Sequence, residues 1–215
     1  MHKYLLFDLD NTLYSCRYDL EDNVRRRMKE FSAVFLGITP EEVWQMRLEQ
    51  GKKYGTTLEW LMNDKGFTDV ETYLAAVHPK GEADNLPPDP QLKIFLESIR
   101  IPKAVLTNSP GEHAELILDK LGIAGLFTHI FDSRQCGFKG KPHSDVFNYA
   151  LNILGMRPAD VLFIDDNPQN VEGFIVMGGG GLLLDENNVF NDYPYSKISD
   201  LKELKKYICV AGDKT

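Results

Sequence analysis

Two acids stand at alternate positions in Phe7-Asp8-Leu9-Asp10-Asn11-Thr12-Leu13, directly after the apolar run Tyr4-Leu5-Leu6-Phe7. Side chains of a strand alternate with period two, so a strand ending here aims both carboxylates to one side. Like charges that close raise each other's pKa and cost energy unless something offsets them. Acids recur as Asp165-Asp166 after Val161-Leu162-Phe163-Ile164, Thr107-Asn108-Ser109 follows Ala104-Val105-Leu106, and Lys139-Gly140-Lys141-Pro142 falls between. Several carboxylates can share one place when a hard divalent cation binds them, and Mg2+ takes oxygen ligands while keeping waters and substrate phosphate. A carboxylate can also be a nucleophile that forms an aspartyl-phosphate. A second acid then protonates the leaving oxygen and later activates water. Thr107 and Asn108 offer donors for phosphate oxygens, and an ammonium at Lys141 offsets the charge of phosphate and nucleophile. Lys139 is a rival, disfavoured by the Lys141-Pro142 pair.

These groups need a frame to bring them together. Short apolar runs at Tyr4-Leu5-Leu6-Phe7, Ala104-Val105-Leu106, His129-Ile130-Phe131, Val161-Leu162-Phe163-Ile164 and Leu182-Leu183-Leu184 show little alternation. That pattern fits strands covered on both faces of a parallel sheet. Helix-like segments at 110–121, 144–154 and 168–177 separate the later runs, which implies βαβ units and a doubly wound, Rossmann-like α/β core. In such a sheet ligands bind outside the carboxyl ends of the strands, where the polar groups fall. The first strand breaks the rhythm. Segments 20–36, 57–65 and 69–77, and one opened by Thr39-Pro40-Glu41-Glu42, read as helices before the stiff return Asn85-Leu86-Pro87-Pro88-Asp89-Pro90. The expectation is an all-helical cap over 14–87 inserted into a core made of 1–13 and 88–215. Gly178-Gly179-Gly180-Gly181 lacks the context of a phosphate loop and is expected to be a connection between the last helix and strand.

The bulk properties narrow the classes. The 215 residues are 43% hydrophobic, enough for a sizeable core, with net charge −8 and pI about 5.2. An acidic chain is a poor binder of nucleic-acid polymers, which demand clustered Lys and Arg. Its only basic run, Arg25-Arg26-Arg27, sits in a mixed helical stretch and reads as a solvated face. Cys16, Cys136 and Cys209 are an odd, scattered set, which argues against a disulfide framework. The first residues do not resemble a signal peptide, and no segment approaches the ~20 apolar residues of a membrane span. A soluble cytoplasmic protein with no membrane partner is expected; the oligomeric state is open. None of the five histidines has metal-ligand spacing, and His143 beside the site reads as packing or surface.

With those residues in place, the sequence resembles the haloacid dehalogenase-type superfamily. Its pattern is D-x-D-x-T/V, a hydrophobic strand ending in Thr or Ser, a Lys, and a strand ending in paired acids. Asp8-Leu9-Asp10-Asn11-Thr12, Val105-Leu106-Thr107-Asn108, Lys141-Pro142 and Phe163-Ile164-Asp165-Asp166 match it in order. The resemblance implies Asp8 as nucleophile and metal ligand. It makes Asp10 the general acid/base, lending its backbone carbonyl to the metal. Thr107, Asn108 and Lys141 become phosphoryl-holding residues, and Asp166 the distal metal ligand, with Asp165 binding directly or through water. Members that remove halide typically lack the second acid, so Asp10 favours phosphoryl transfer.

A narrower resemblance is to pyrimidine 5′-nucleotidases, carried by Asp10-Asn11-Thr12-Leu13-Tyr14, Lys53-Tyr54-Gly55-Thr56-Thr57, Gly140-Lys141-Pro142-His143 and Phe163-Ile164-Asp165-Asp166-Asn167. It implies hydrolysis of UMP- or CMP-like monophosphates. Caps select leaving groups, so Lys53 and Tyr54, with Lys52 beside them, become candidates for substrate contact; ordinary helix-end polar residues are the alternative. Other small phosphoesters (phosphoglycolate, a sugar phosphate, lysophosphatidate), a phosphomutase, and a non-catalytic binding module are the competing readings.

Overall fold

The computed structural model describes residues 2–50 and 53–208, so Lys52 and Cys209 lie outside the described residues. Strands β1 (Tyr4–Phe7), β2 (Lys103–Leu106), β3 (Ile130–Phe131), β4 (Val161–Asp165), β5 (Gly180–Leu184) and β6 (Lys197–Ile198) form one sheet in the order β3-β2-β1-β4-β5-β6. All the pairings are parallel. β1 is central, with Leu6 opposite both Ala104 and Phe163. Its four residues are all buried, yet they divide between two cores: Leu5 and Phe7 pack on one face, Tyr4 and Leu6 on the other. This is why the run shows no polar alternation.

Helices α5 (Pro90–Glu97), α6 (Gly111–Leu121), α7 (Ser144–Leu154) and α8 (Pro168–Val176) accompany the strands. The expected return segment is more ordered than a linker: Asp89 accepts from the Leu92 N–H and Pro90 opens α5. Gly180 and Gly181 belong to β5 instead of the expected connection. A Cβ on Gly181 would come within 2.6–2.8 Å of Ile175 and Val171, so the bare glycine lets α8 lie against the strand. Gly178, at φ 86°, and Gly179 form the connection itself. The short strand β6, two residues without an apolar run, had no pattern to reveal it.

Between β1 and β2 come α1 (Leu20–Leu36), α2 (Pro40–Gln50), α3 (Thr57–Lys65) and α4 (Val70–Val77). These helices share their own apolar cluster, which includes Val24, Val43, Trp60, Leu61, Tyr73 and Val77. Phe31 meets Phe67 and Tyr73 edge-to-face at 5.6 and 5.1 Å, the geometry that aromatic quadrupoles favour. Tyr14, Leu20, Ala83 and Leu86 pack with the sheet-side cluster instead, so the apolar boundary falls inside the 14–87 segment. Among the described residues no helix is long and apolar enough to cross a membrane.

Candidate active site

Past β1 the chain turns sharply. The Asp8 N–H donates to the Ile164 carbonyl at 2.8 Å, the Leu13 N–H returns to the Leu9 carbonyl at 2.9 Å, and Asn11 adopts φ 54°. Asn tolerates that left-handed conformation better than most residues. Leu9 is sunk in the core. Asp8 and Asp10 are thereby left facing one cavity of about 480 Å³. The ends of β2 and β4 bring Thr107, Asn108 and Asp166 to the same cavity, and the loop before α7 brings Lys141. The helices of the insertion form the other wall, with Met28, Lys29, Trp44 and Arg47.

Lys141 is 1% exposed, and its Nζ lies 2.6 Å from Asp8 Oδ1 and 2.8 Å from Asp165 Oδ2. A buried ammonium needs such partners, and the two carboxylates raise its pKa against the opposing effect of burial. Asn108 fixes its backbone: the Lys141 N–H donates to Asn108 Oδ1 at 2.7 Å, and Asn108 Nδ2 donates to the Lys141 carbonyl at 3.4 Å. Lys139 points elsewhere, paired with Asp145 at the surface. Asp165 stands behind the cavity with both oxygens engaged, accepting from the Asn167 N–H, from Asn170 Nδ2 and from Lys141. Oxygens of Asp8, Asp165 and Asp166 all lie within 4.8 Å of one another. Three carboxylates face one ammonium, and the electrostatics register the excess. Burial, then the charge of Asp165, pushes Asp8 well above the usual carboxylate range. The same two causes, in the same order, lift Asp166 to about 8.

Asp10 has a different environment. Tyr14 Oη donates to its Oδ1 at 2.6 Å, Ser109 Oγ donates to its Oδ2 at 2.8 Å, and His113 Nε2 lies 2.8 Å from Oδ1. Burial alone would raise this carboxyl, but the charge and hydrogen bond of His113, with those of Tyr14 and Ser109, hold it below the usual range. Thr107 Oγ1 accepts from the Ser109 N–H at 3.0 Å. A hydroxyl that accepts in this way keeps its own proton to donate.

Lys53 and Tyr54 do not reach the cavity. Tyr54 is buried in the apolar cluster of the insertion, and Lys53 is exposed with its ammonium 4.8 Å over the Tyr54 ring. Gly55, Thr56 and Thr57 line the cavity instead. Gly55 and Gly140 press together: a Cβ on Gly140 would sit 2.4 Å from Thr56 Cγ2, and one on Gly55 2.3 Å from the Gly140 carbonyl oxygen. Glu59 Oε2 ties the seam by accepting from the Gly55 N–H at 2.8 Å and the Gly140 N–H at 3.3 Å. Gly140→Ala is expected to push the 55–57 loop away from Lys141. Turnover should fall about 10- to 100-fold, on the scale that small misplacements cost, while the melting temperature moves only a few degrees; steady-state kinetics beside thermal unfolding checks this.

Tyr14 and Ser109 fall inside the quoted motif stretches without a role of their own, His113 is read only as lacking metal-ligand spacing, and Glu82 has no sequence signal. His113 carried one signal, a polar residue on the apolar stripe Ala114-Ile117-Leu118-Leu121 of α6, where it is buried.

The family model for haloacid dehalogenase-like hydrolases matches residues 2–178. "Phosphate metabolism protein 8" of Saccharomyces cerevisiae is 28% identical over 207 residues, which are 90% of this chain but 63% of that protein. A phosphoglycolate phosphatase of Haemophilus influenzae is 28% identical over 181 residues, 79% of each chain. In fold, the chain is similar to a predicted phosphoglycolate phosphatase from Haemophilus somnus, with a TM-score of 0.64, 21% identity, and coverage of 96% of this chain and 97% of that one.

Proposed function

The chain belongs to the haloacid dehalogenase-like hydrolases, and from that premise we propose that it is a Mg2+-dependent phosphomonoester hydrolase working through an aspartyl-phosphate on Asp8. One observation carries the reading: Asp8, held by the buried Lys141, shares a cavity with Asp166, Thr107 and a second acid, Asp10. The oxygen of Asp8 that Lys141 does not hold attacks phosphorus, and the bond to the leaving oxygen breaks. Asp10, a carboxylate in the free protein, takes up a proton as the substrate brings its negative charge into the cavity, gives it to that oxygen, and then takes a proton from the water that cleaves the acyl-phosphate. The Thr107 hydroxyl proton, the Asn108 N–H and the Lys141 ammonium receive the phosphoryl oxygens.

The excess of carboxylate charge at Asp8, Asp165 and Asp166 fits a hard cation. Asp8 and Asp166 would hold it, joined by the Asp10 backbone carbonyl, while Asp165 acts through its neighbours because its oxygens are taken. When bound, Mg2+ supplies neutralisation of the phosphate and polarisation of its oxygens.

For the substrate we favour a nucleoside monophosphate with a pyrimidine base. A cavity of about 480 Å³ far exceeds what a two-carbon ester fills. The half-buried Trp44 offers an aromatic face, and Lys29 and Arg47 offer charge. The resemblance carried by Lys53-Tyr54-Gly55-Thr56-Thr57 points the same way, through the three of those residues that line the cavity, Gly55, Thr56 and Thr57. Phosphoglycolate is the second reading, favoured by the names of relatives. Residues 14–87 act in this proposal as the cap that closes over the leaving group.

Phosphate release from UMP, CMP, AMP, phosphoglycolate, glucose 1-phosphate and lysophosphatidate, with Mg2+ and then EDTA, tests the reading. Release from UMP or CMP at least about tenfold above the rest is expected, a difference of ~1.4 kcal/mol; preference for phosphoglycolate overturns the substrate, and release insensitive to EDTA overturns the metal. Mg2+ should also raise the melting temperature by mass action, more so as pH rises. Asp166 has its folded pKa lifted to about 8, so its contribution to metal-free stability is complete below its ordinary value and is lost as pH rises through about 8. Below that pH the cation must displace a proton. Thermal shifts at pH 6 and pH 8.5 measure the difference, and an equal shift at both would contradict it.

A further inference from the structure

The hydrogen bonds around Asp10 do not stop at Asp10. His113 presents Nε2 to Asp10 at 2.8 Å and Nδ1 to Glu82 Oε1 at 2.6 Å, with its side chain wholly buried. An imidazole placed between two carboxylates in this way can satisfy both only by donating from both nitrogens. Glu82 is itself 2% exposed at the side chain and accepts from Arg27 Nη2 at 3.0 Å through Oε2. His78 Nδ1 lies 3.2 Å from Glu82 Oε1. Arg27 belongs to α1, and its Nε donates to the Val77 carbonyl at 2.6 Å, the last residue of α4. A continuous set of short polar contacts thus runs from two helices of the insertion, through Glu82 and His113, to the carboxylate of Asp10. His113 does not line the cavity, whereas Asp10 does.

We propose that His113 and Glu82 are positioning residues that aim the Asp10 carboxylate at the leaving oxygen and make its aim depend on where Arg27 and the insertion sit. The inference rests on the reading of Asp10 as general acid/base. Three contacts, from Tyr14, Ser109 and His113, fix a planar carboxylate in rotation as well as position. Tyr14 and Ser109 stand on the sheet-side loops and leave Asp10 there whatever the insertion does. Only the His113 contact continues to the insertion, so it alone can report the insertion's position. Buried polar groups joined in this manner act as a unit, and removing one leaves its partners without hydrogen bonds.

The experiment compares kcat and KM for wild type, Asp10→Asn, His113→Ala, Glu82→Gln and the double variant Asp10→Asn/His113→Ala. Two esters are used: UMP, whose alkoxide must be protonated to leave, and p-nitrophenyl phosphate, whose phenolate need not be. Asp10→Asn is expected to lose UMP turnover by a factor of about 10² to 10⁴, the usual yield of general acid–base catalysis, with a smaller loss on the aryl ester. His113→Ala and Glu82→Gln should show the same bias, about 10- to 100-fold in kcat with little change in KM. Adding His113→Ala to Asp10→Asn should cost nothing further on UMP, because the two act on one step. Equal losses on both esters, or independent losses in the double variant, would reduce His113 to a structural role and overturn the inference. Absence of ester bias in Asp10→Asn itself overturns the general acid reading instead, a result separable from the first. Glu82→Gln keeps the shape and turns one of the two accepting oxygens into a donor, a milder change that carries the test should His113→Ala fold poorly.

Discussion

Asp8→Asn is expected to abolish turnover, by a factor of about 10⁴ or more, with the fold intact. An amide nitrogen or oxygen does not attack phosphorus, and losing a nucleophile typically removes nearly all the chemistry. The stability side is less obvious. Asp8 is one of three carboxylates served by one ammonium, and burial with the charge of Asp165 already pushes its pKa well up. Removing its charge leaves Lys141 paired with Asp165 at 2.8 Å and removes the repulsion of Asp8 by Asp165 and Asp166. The metal-free variant should therefore melt at or above the wild-type temperature. A phosphoenzyme trap with a radiolabelled substrate completes the test: label retained by wild type and absent from Asp8→Asn is expected. Label on the variant would place the nucleophile elsewhere.

Lys141→Met should be the most damaging single change to stability at the site. The methionine fills a similar volume, but Asp8 and Asp165 are left buried without the cation that lies between them. Breaking a buried pair by removing one partner costs about 3–5 kcal/mol. For a chain of 215 residues that corresponds to roughly 6–20 °C in melting temperature. The two variants make opposite predictions from one arrangement: loss of an acid is tolerated, loss of the base is not. The Lys141→Met protein should also gain more from Mg2+ in thermal shift than wild type, since the cation would be the only positive charge left among the acids. A variant as stable as wild type would mean that Lys141 is not the group offsetting this cluster.

Much of this site could be read from residue order. Asp8, Thr107 and Asp166 each follow a run of buried apolar residues, and in a parallel sheet such runs must end on the same side. A sequence reader therefore needs only the runs to predict that the polar residues meet. Lys141 was legible through its proline and its place between two strands. What stayed hidden depends on contacts between distant segments. Glu82 meets His113 across 31 residues, and His113 meets Asp10 across 103, so neither contact shows in local residue order. Tyr54 sat in a motif-like stretch that pointed to the substrate, but its ring is taken up by a core whose existence depends on helices far away in sequence. Gly180 and Gly181 lacked side chains to show the pattern of a strand, although α8 over Gly181 and His2 over Gly180 leave no room for one.

The seam between Gly55 and Gly140 has a consequence for how this protein tolerates change. Both residues lie in loops, where substitutions are usually absorbed, and neither contributes to an apolar cluster. Yet the backbones meet with no room for a methyl group, one residue away from the ammonium that holds Asp8. At Gly140 an added methyl meets the Thr56 side chain, so drift there should cost activity more than folding; at Gly55 it meets backbone and should cost both. Selection for abundance and selection for growth on the product should therefore disagree at Gly140 and agree at Gly55.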